Sequence, residues 1–196
     1  MTLVPSSLRI DPGILDSFDI QKAHERLRRW IIRSGLGDLT MIGTMGLTWV
    51  EHLDNDWAPC WSPRWRLLVT GTSVERLHAA LDHYLPADEV VRKPIRVRRT
   101  ALDLNLTASL WDLRFERRVS FVTYQDRPAV GVLALRDAQV RELARFLDAH
   151  HAVDRLFCRN VRRYGWKLVP LVEPRTSAPV VMPSSRLKRA ASTTTR

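Results

Sequence analysis

The chain has 196 residues and a formal net charge of +10, enough for one hydrophobic core of ordinary size and too few for two comfortable domains. The basic excess favours an acidic partner, nucleic acid before an anionic membrane surface. Cys60 and Cys158 stand alone, with no CxxC and no Cys/His cluster at zinc spacing, which argues against a disulfide framework or a structural zinc site and fits a reduced, cytoplasmic setting.

Residues 1–14 mix Pro, Ser and single charges without a period and read as a loosely held arm with no leader. Asp16 or Ser17 can cap a helix in which Phe18, Ile20, Ala23, Leu27, Trp30 and Ile31 recur at three-to-four spacing, ending near Gly35 where a left-handed residue can close it. Its outward face carries Lys22, Arg26, Arg29 and Arg33, which read as solvated charge before a phosphate-contacting face. Leu39 to Val50 is apolar and rich in Thr, Met and Gly, without a helical period, and predicts a buried strand bent at Gly43 or Gly46. The turn formers of residues 52–59 then lead by a hairpin into a strand over Arg64–Thr70.

Thr72 and Ser73 offer an N-cap with Glu75 behind it, and Val74, Leu77, Leu81 and Tyr84 form one helical stripe that Pro86 ends. Between Arg92 and Arg99, Ile95 and Val97 alternate with Arg96 and Arg98, a short strand that Pro94 places at a sheet edge. Leu102, Leu106, Leu110 and Leu113 have helical spacing, Val119 to Tyr124 reads as a strand, and Ala138 to His150 as a helix with Val140, Leu143, Ala144 and Leu147 inward. Phe157–Val161 and Trp166–Val172 suggest a closing hairpin that turns at Arg163, Tyr164 and Gly165. From residue 174 onward the chain is rich in Ser, Thr and Pro and has five basic residues without an acid, a composition that predicts disorder and leaves 26 basic against 21 acidic residues before it.

Helices interleaved with hairpin strands argue for an α+β fold, a mainly antiparallel sheet with helices packed on it, as a single domain over residues 15–173. No run of residues reaches the length of a membrane span, so a membrane partner is not expected. No P-loop, dinucleotide fingerprint or Gly-x-Ser-x-Gly is present, and no catalytic residue, metal or cofactor is assigned from the residues.

The candidate binding residues are basic side chains on strands. Alternation puts Arg64, Arg66 and Leu68 on one face of their strand, and Trp65, Leu67 and Val69 on the other. Arg96 and Arg98 share the outward face of the short strand, and Arg162, Arg163 and Lys167 surround Tyr164 and Trp166 in the closing hairpin, an interleaving that can stack bases and neutralise phosphates. Solvated strand and turn charges would give the same letters.

Arg64-Trp65-Arg66 stands where a strand carries His-apolar-His in the HUH endonuclease superfamily, the rolling-circle replication initiators, relaxases and related transposases of mobile elements, and residues 40–125 resemble that superfamily as a whole. The resemblance implies a ferredoxin-like sheet, a metal held by the strand histidines with Glu51 or His52 as third ligand, and a tyrosine on the helix that here contains Trp111. A guanidinium has no lone pair to donate to a metal, and an indole has no nucleophilic oxygen. The resemblance therefore implies a degenerate, non-catalytic DNA-binding relative, in which two fixed arginines attract a phosphate where a cation would sit. Two other readings stay open, a metal-dependent nickase using Tyr124 or Tyr164 with Glu51 and His52, and a small basic interaction protein without nucleic-acid specificity.

Overall fold

The computed structural model describes residues 1–53, 57–99, 115–122, 128–164 and 167–171, and the side chains of Arg163, Tyr164 and Lys167 are not among what it describes. The segments read from sequence as a helix around Trp111, the strand end at Tyr124 and the basic tail from residue 174 lie outside these residues. The fold is α+β. Strands β1 (Thr2–Leu3), β2 (Thr40–His52), β3 (Cys60–Thr70), β4 (Ile95–Arg96), β5 (Glu116–Val122) and β6 (Pro128–Leu133) lie in the order β4-β1-β3-β2-β5-β6, and β7 (Leu156–Arg159) also joins β2. All pairings are antiparallel except β2 with β5.

The β2–β3 hairpin is the centre of the sheet. Its ladder runs without a break from Thr40 opposite Thr70 to Val50 opposite Cys60, and β1 covers the other side of β3 at Trp65 and Arg66. The strand around Arg64 is therefore internal, as its apolar alternate set predicts. Met41, Met45 and Trp49 of β2 and Trp61, Trp65 and Leu67 of β3 share the face on which the helices pack. Helix α1 (Ile20–Arg33) buries Ile20, Ala23, Leu27 and Ile31 there, and α2 (Val74–Leu81) adds Leu77 and Leu81. Each of these Leu and Ile side chains taken wholly out of water contributes about 1.5–3 kcal/mol before the entropy of ordering it is subtracted.

Helix α1 starts later than its sequence suggests. Residues 15–17 form a single 3-10 turn, and Asp19 becomes the N-cap, accepting from the Lys22 amide at 2.9 Å. Gly35, at φ +71°, closes the helix in the left-handed conformation. Helix α2 is capped by Ser73 as its sequence indicates, with the Arg76 amide donating to Oγ at 3.2 Å.

Residues 1–14 are not a loose arm. Thr2 and Leu3 fill the gap between β3 and β4, Ile10 bridges to Trp61, and the amides of Gly13 and Leu15 donate to Glu142 Oε1 at 2.8 and 3.1 Å. A strand of two residues carries no readable period, so single buried residues such as Leu3 do the anchoring. Helix α3 (Asp137–Ala149) is correspondingly rotated from the expected face. It buries Gln139, Glu142, Leu143 and Phe146, whereas Val140 is exposed. Both polar residues are satisfied: Glu142 takes the two amides above, and Gln139 Oε1 accepts from the Arg136 amide at 2.8 Å.

Strands β8 (Val161–Tyr164) and β9 (Lys167–Pro170) pair as the expected closing hairpin, in a separate two-stranded sheet. Residues 156–159 belong instead to the main sheet beside β2. The positive φ of Asn160, 52°, marks the break between the two, and its Nδ2 donates to the Gly37 and Leu39 carbonyls at 3.1 and 2.9 Å.

One core residue is polar in an unexpected way. His24 of α1 is 1% exposed, with the rings of Trp65 and Phe157 at 6.1 and 5.6 Å. Burial, reinforced by the Arg28 charge and opposed by Asp154, lowers its pKa from 6.5 to about 4. The unfolded chain then binds a proton that the folded chain refuses, so stability is greatest above pH 6.5 and falls as pH drops toward 4. Urea unfolding between pH 7 and 4 should show a loss from this residue of at most about 3 kcal/mol, absent in His24→Phe. An equal pH dependence in that variant would contradict the assignment.

Candidate functional site

The face of the sheet turned away from α1 carries the even-numbered side chains of β2 and β3. Pairing aligns Arg96, Thr2, Arg66 and Thr44 in one row across four strands, so Arg66 and Arg96 flank the short Thr2. Arg64 lies one row along, opposite Gly46, whose missing side chain leaves its Cβ position 3.8 Å from Arg64 Nε. The Arg64 side chain passes this gap and reaches over β2 to Glu116 on β5, Nη1 to Oε1 at 2.7 Å. Arg118, two residues on and thus on the same face, donates to the same oxygen from Nε and Nη2 at 2.9 and 2.6 Å.

This Arg64–Glu116–Arg118 group replaces the picture of two solvent-facing strand arginines. Arg64 is only 6% exposed, while Arg66 is half-buried. Burial disfavours the Arg64 charge and lowers its pKa, against the opposing effect of the Glu116 hydrogen bond and charge. Burial likewise works against the Glu116 carboxylate, but the hydrogen bonds and charges of Arg64 and Arg118 prevail and hold its pKa below the usual value.

Beside this group opens a cleft of about 360 Å³. Arg64, Arg118 and Arg96 line it together with Arg92 and Lys93 from the segment before β4, and Glu89 is the one acid among its described lining residues. Val50, Val90, Val91, Phe121 and Val130 add apolar surface to its walls, and Thr48, Ser62 and Ser120 add hydroxyls. His52 and Trp57 close one end, their ring centroids 6.0 Å apart.

Of the residues singled out by sequence, Arg64 and Arg96 meet in the cleft and Arg66 adjoins them on the same sheet face. Arg98, exposed beyond the end of β4, does not line the cleft, and exposed Arg162 belongs to the separate β8–β9 sheet. Arg163 and Lys167 are placed on that hairpin by their backbone alone. Glu51 and His52 do not form a joint site. His52 faces the cleft, but Glu51 is on the opposite face, where its carboxylate accepts from Trp49 Nε1 at 2.7 Å, Arg117 at 2.7 Å and Arg136 at 3.0 Å. Adjacent strand residues must point to opposite faces, which separates them. Among the described residues no three His, Cys, Asp or Glu side chains gather to hold a metal.

Sequence reading missed Glu116, Arg118, Arg92 and Lys93, as well as β6, which supplies Val130 to the cleft wall. The signal for the first two was the alternation of Glu116, Arg118 and Ser120 along β5. The cysteines carry no site chemistry: burial pushes the Cys60 thiol up to about 11 and raises Cys158 as well, both unfavourable to a reactive thiolate. No helix among the described residues is long and apolar enough to cross a membrane. Compared with known proteins, the chain matches no family model, no curated protein and no solved structure.

Proposed function

We propose that the chain is a non-catalytic nucleic-acid-binding protein that engages phosphates, DNA favoured, with the sheet face bearing Arg64, Arg66 and Arg96. The observation that carries this reading is the convergence of Arg64, Arg92, Lys93, Arg96 and Arg118 on one cleft in which Glu89 is the only acid among the described lining residues. The resemblance to a degenerate replication initiator or transposase draws support from topology. The succession β1-α1-β2-β3-α2-β4, with the order β4-β1-β3-β2 and antiparallel neighbours, is that expected of a ferredoxin-like sheet. Arg64 and Arg66 then occupy the middle of its central hairpin strand.

The salt dependence of oligonucleotide binding tests the reading. Each phosphate neutralised contributes roughly 0.9 to the slope of log affinity against log salt on duplex DNA and about 0.7 on a single strand. Arg66→Gln/Arg96→Gln should flatten the slope by about 1.4–1.8 if both residues engage phosphates. An unchanged slope would favour the basic interaction-protein reading. A nicking assay with manganese or magnesium separates the nickase reading, which requires a covalent tyrosyl-DNA product.

A further inference from the structure

We propose that the cleft is a nucleotide-binding site, taking one phosphate ester with its attached planar base, in which Arg64 and Arg118 hold the phosphate and Glu116 positions both arginines. The inference rests on the nucleic-acid reading for its ligand class, and adds a defined pocket to a charged face. Three observations support it. The cleft, at about 360 Å³, is of the size that encloses a small ligand, whereas a duplex backbone would lie across its mouth. Its lining is of two kinds: the guanidinium groups of Arg64, Arg92, Arg96 and Arg118, and among them the apolar Val50, Val90, Phe121 and Val130 with the Trp57 ring. A purely anionic ligand has no use for the apolar surface, and a purely apolar one would leave the charges unanswered.

The third observation is the construction of the charged group. Arg64 is more than nine-tenths buried, and the Glu116 carboxylate oxygen fixes it and Arg118 by bonds of 2.6–2.9 Å. A guanidinium pair held in advance spares the ligand the entropy of ordering two long side chains. Arg92, Lys93 and Arg96, all exposed, stand at the rim where neighbouring phosphates of a strand would pass.

Calorimetric titration of the full chain with a nucleoside monophosphate, the corresponding nucleoside, inorganic phosphate and a short oligonucleotide tests this. The monophosphate should bind at least about tenfold more tightly than either the nucleoside or inorganic phosphate alone, since each offers half of the contacts. Arg118→Gln should weaken the monophosphate about tenfold, and so should Val130→Asp, which places a like charge in the cleft from an exposed position of low folding risk. Glu116→Gln should weaken it too, with Glu116→Asp recovering part of the loss. Inorganic phosphate binding as well as the monophosphate, or monophosphate binding unchanged in both Arg118→Gln and Val130→Asp, would overturn the pocket. An oligonucleotide that binds where the monophosphate does not would also overturn it while sparing the nucleic-acid reading. The reverse result would sink that reading and leave the pocket standing.

Discussion

Arg64→Ala should destabilise the fold by about 3 kcal/mol or more in urea unfolding at neutral pH, far beyond the cost of an ordinary surface arginine. The Arg64 and Glu116 side chains are 7% and 15% exposed, so the pair is shielded from the water and salt that make surface ion pairs nearly worthless. Removing one partner leaves the other charge incompletely compensated in the sheet, and also deletes the arginine stem that lies over Gly46. Replacing the pair together, Arg64→Met with Glu116→Leu, should restore much of the loss, since apolar groups of similar volume need no counter-charge. The depressed pKa of Glu116 adds a pH signature: its contribution is complete above the ordinary carboxyl value of 4.5 and disappears as pH falls through the lower folded value. A cost below about 1 kcal/mol for Arg64→Ala would place the pair in the exposed class.

Gly43→Ala should be at least as damaging, at roughly 3 kcal/mol or more, or should prevent folding. A Cβ at position 43 would lie 1.8 Å from the backbone carbonyl oxygen of Arg66, and 2.8 Å from Leu67 Cα, both in the neighbouring strand. Backbone cannot yield as a side chain can, so the two central strands would have to separate where the ladder is longest. Gly46→Ala, three residues along the same strand, is the control. Its Cβ would meet only Arg64 side-chain atoms at 3.8 and 3.9 Å, ordinary contact, and its stability should stay within about 1 kcal/mol of the unaltered protein. Equal unfolding midpoints for the two variants would contradict this account of the hairpin.

The hairpin shows what was legible in the sequence. The apolar alternate set of β3, the turn formers ahead of it and the helical stripes of α1 and α2 are local patterns, and each produces the element it predicts. Pro94 likewise marks β4 as an edge. What local patterns cannot carry is partnership over distance. Glu116 is 52 residues from Arg64, and only the order β3-β2-β5, with glycine at position 46, brings them together. The same holds for Glu142, whose partners Gly13 and Leu15 lie at the other end of the chain. Charge on a helix or strand reads as solvent-facing until its partner is known, so Arg64 and Glu142 are among the residues whose burial the sequence concealed. The candidate site divides along this line. Arg66 and Arg96 follow from alternation alone, whereas the cleft that joins Arg96 to Arg64 and Arg118 exists only in the assembled sheet.

The claim that this sheet face is the one that meets nucleic acid is tested most directly by comparing two paired replacements in a chain ending at Glu173, where the tail charges no longer mask the result. One is Arg66→Gln/Arg96→Gln on the sheet face; the other is Arg29→Gln/Arg33→Gln on the exposed side of α1, which removes equal charge from another surface. Binding of a fluorescent oligonucleotide across a salt series should show the slope reduced by about 1.4–1.8 units for the sheet pair and nearly unchanged for the helix pair. Equal reductions for both pairs, or a loss confined to the helix pair, would contradict the assignment of the face.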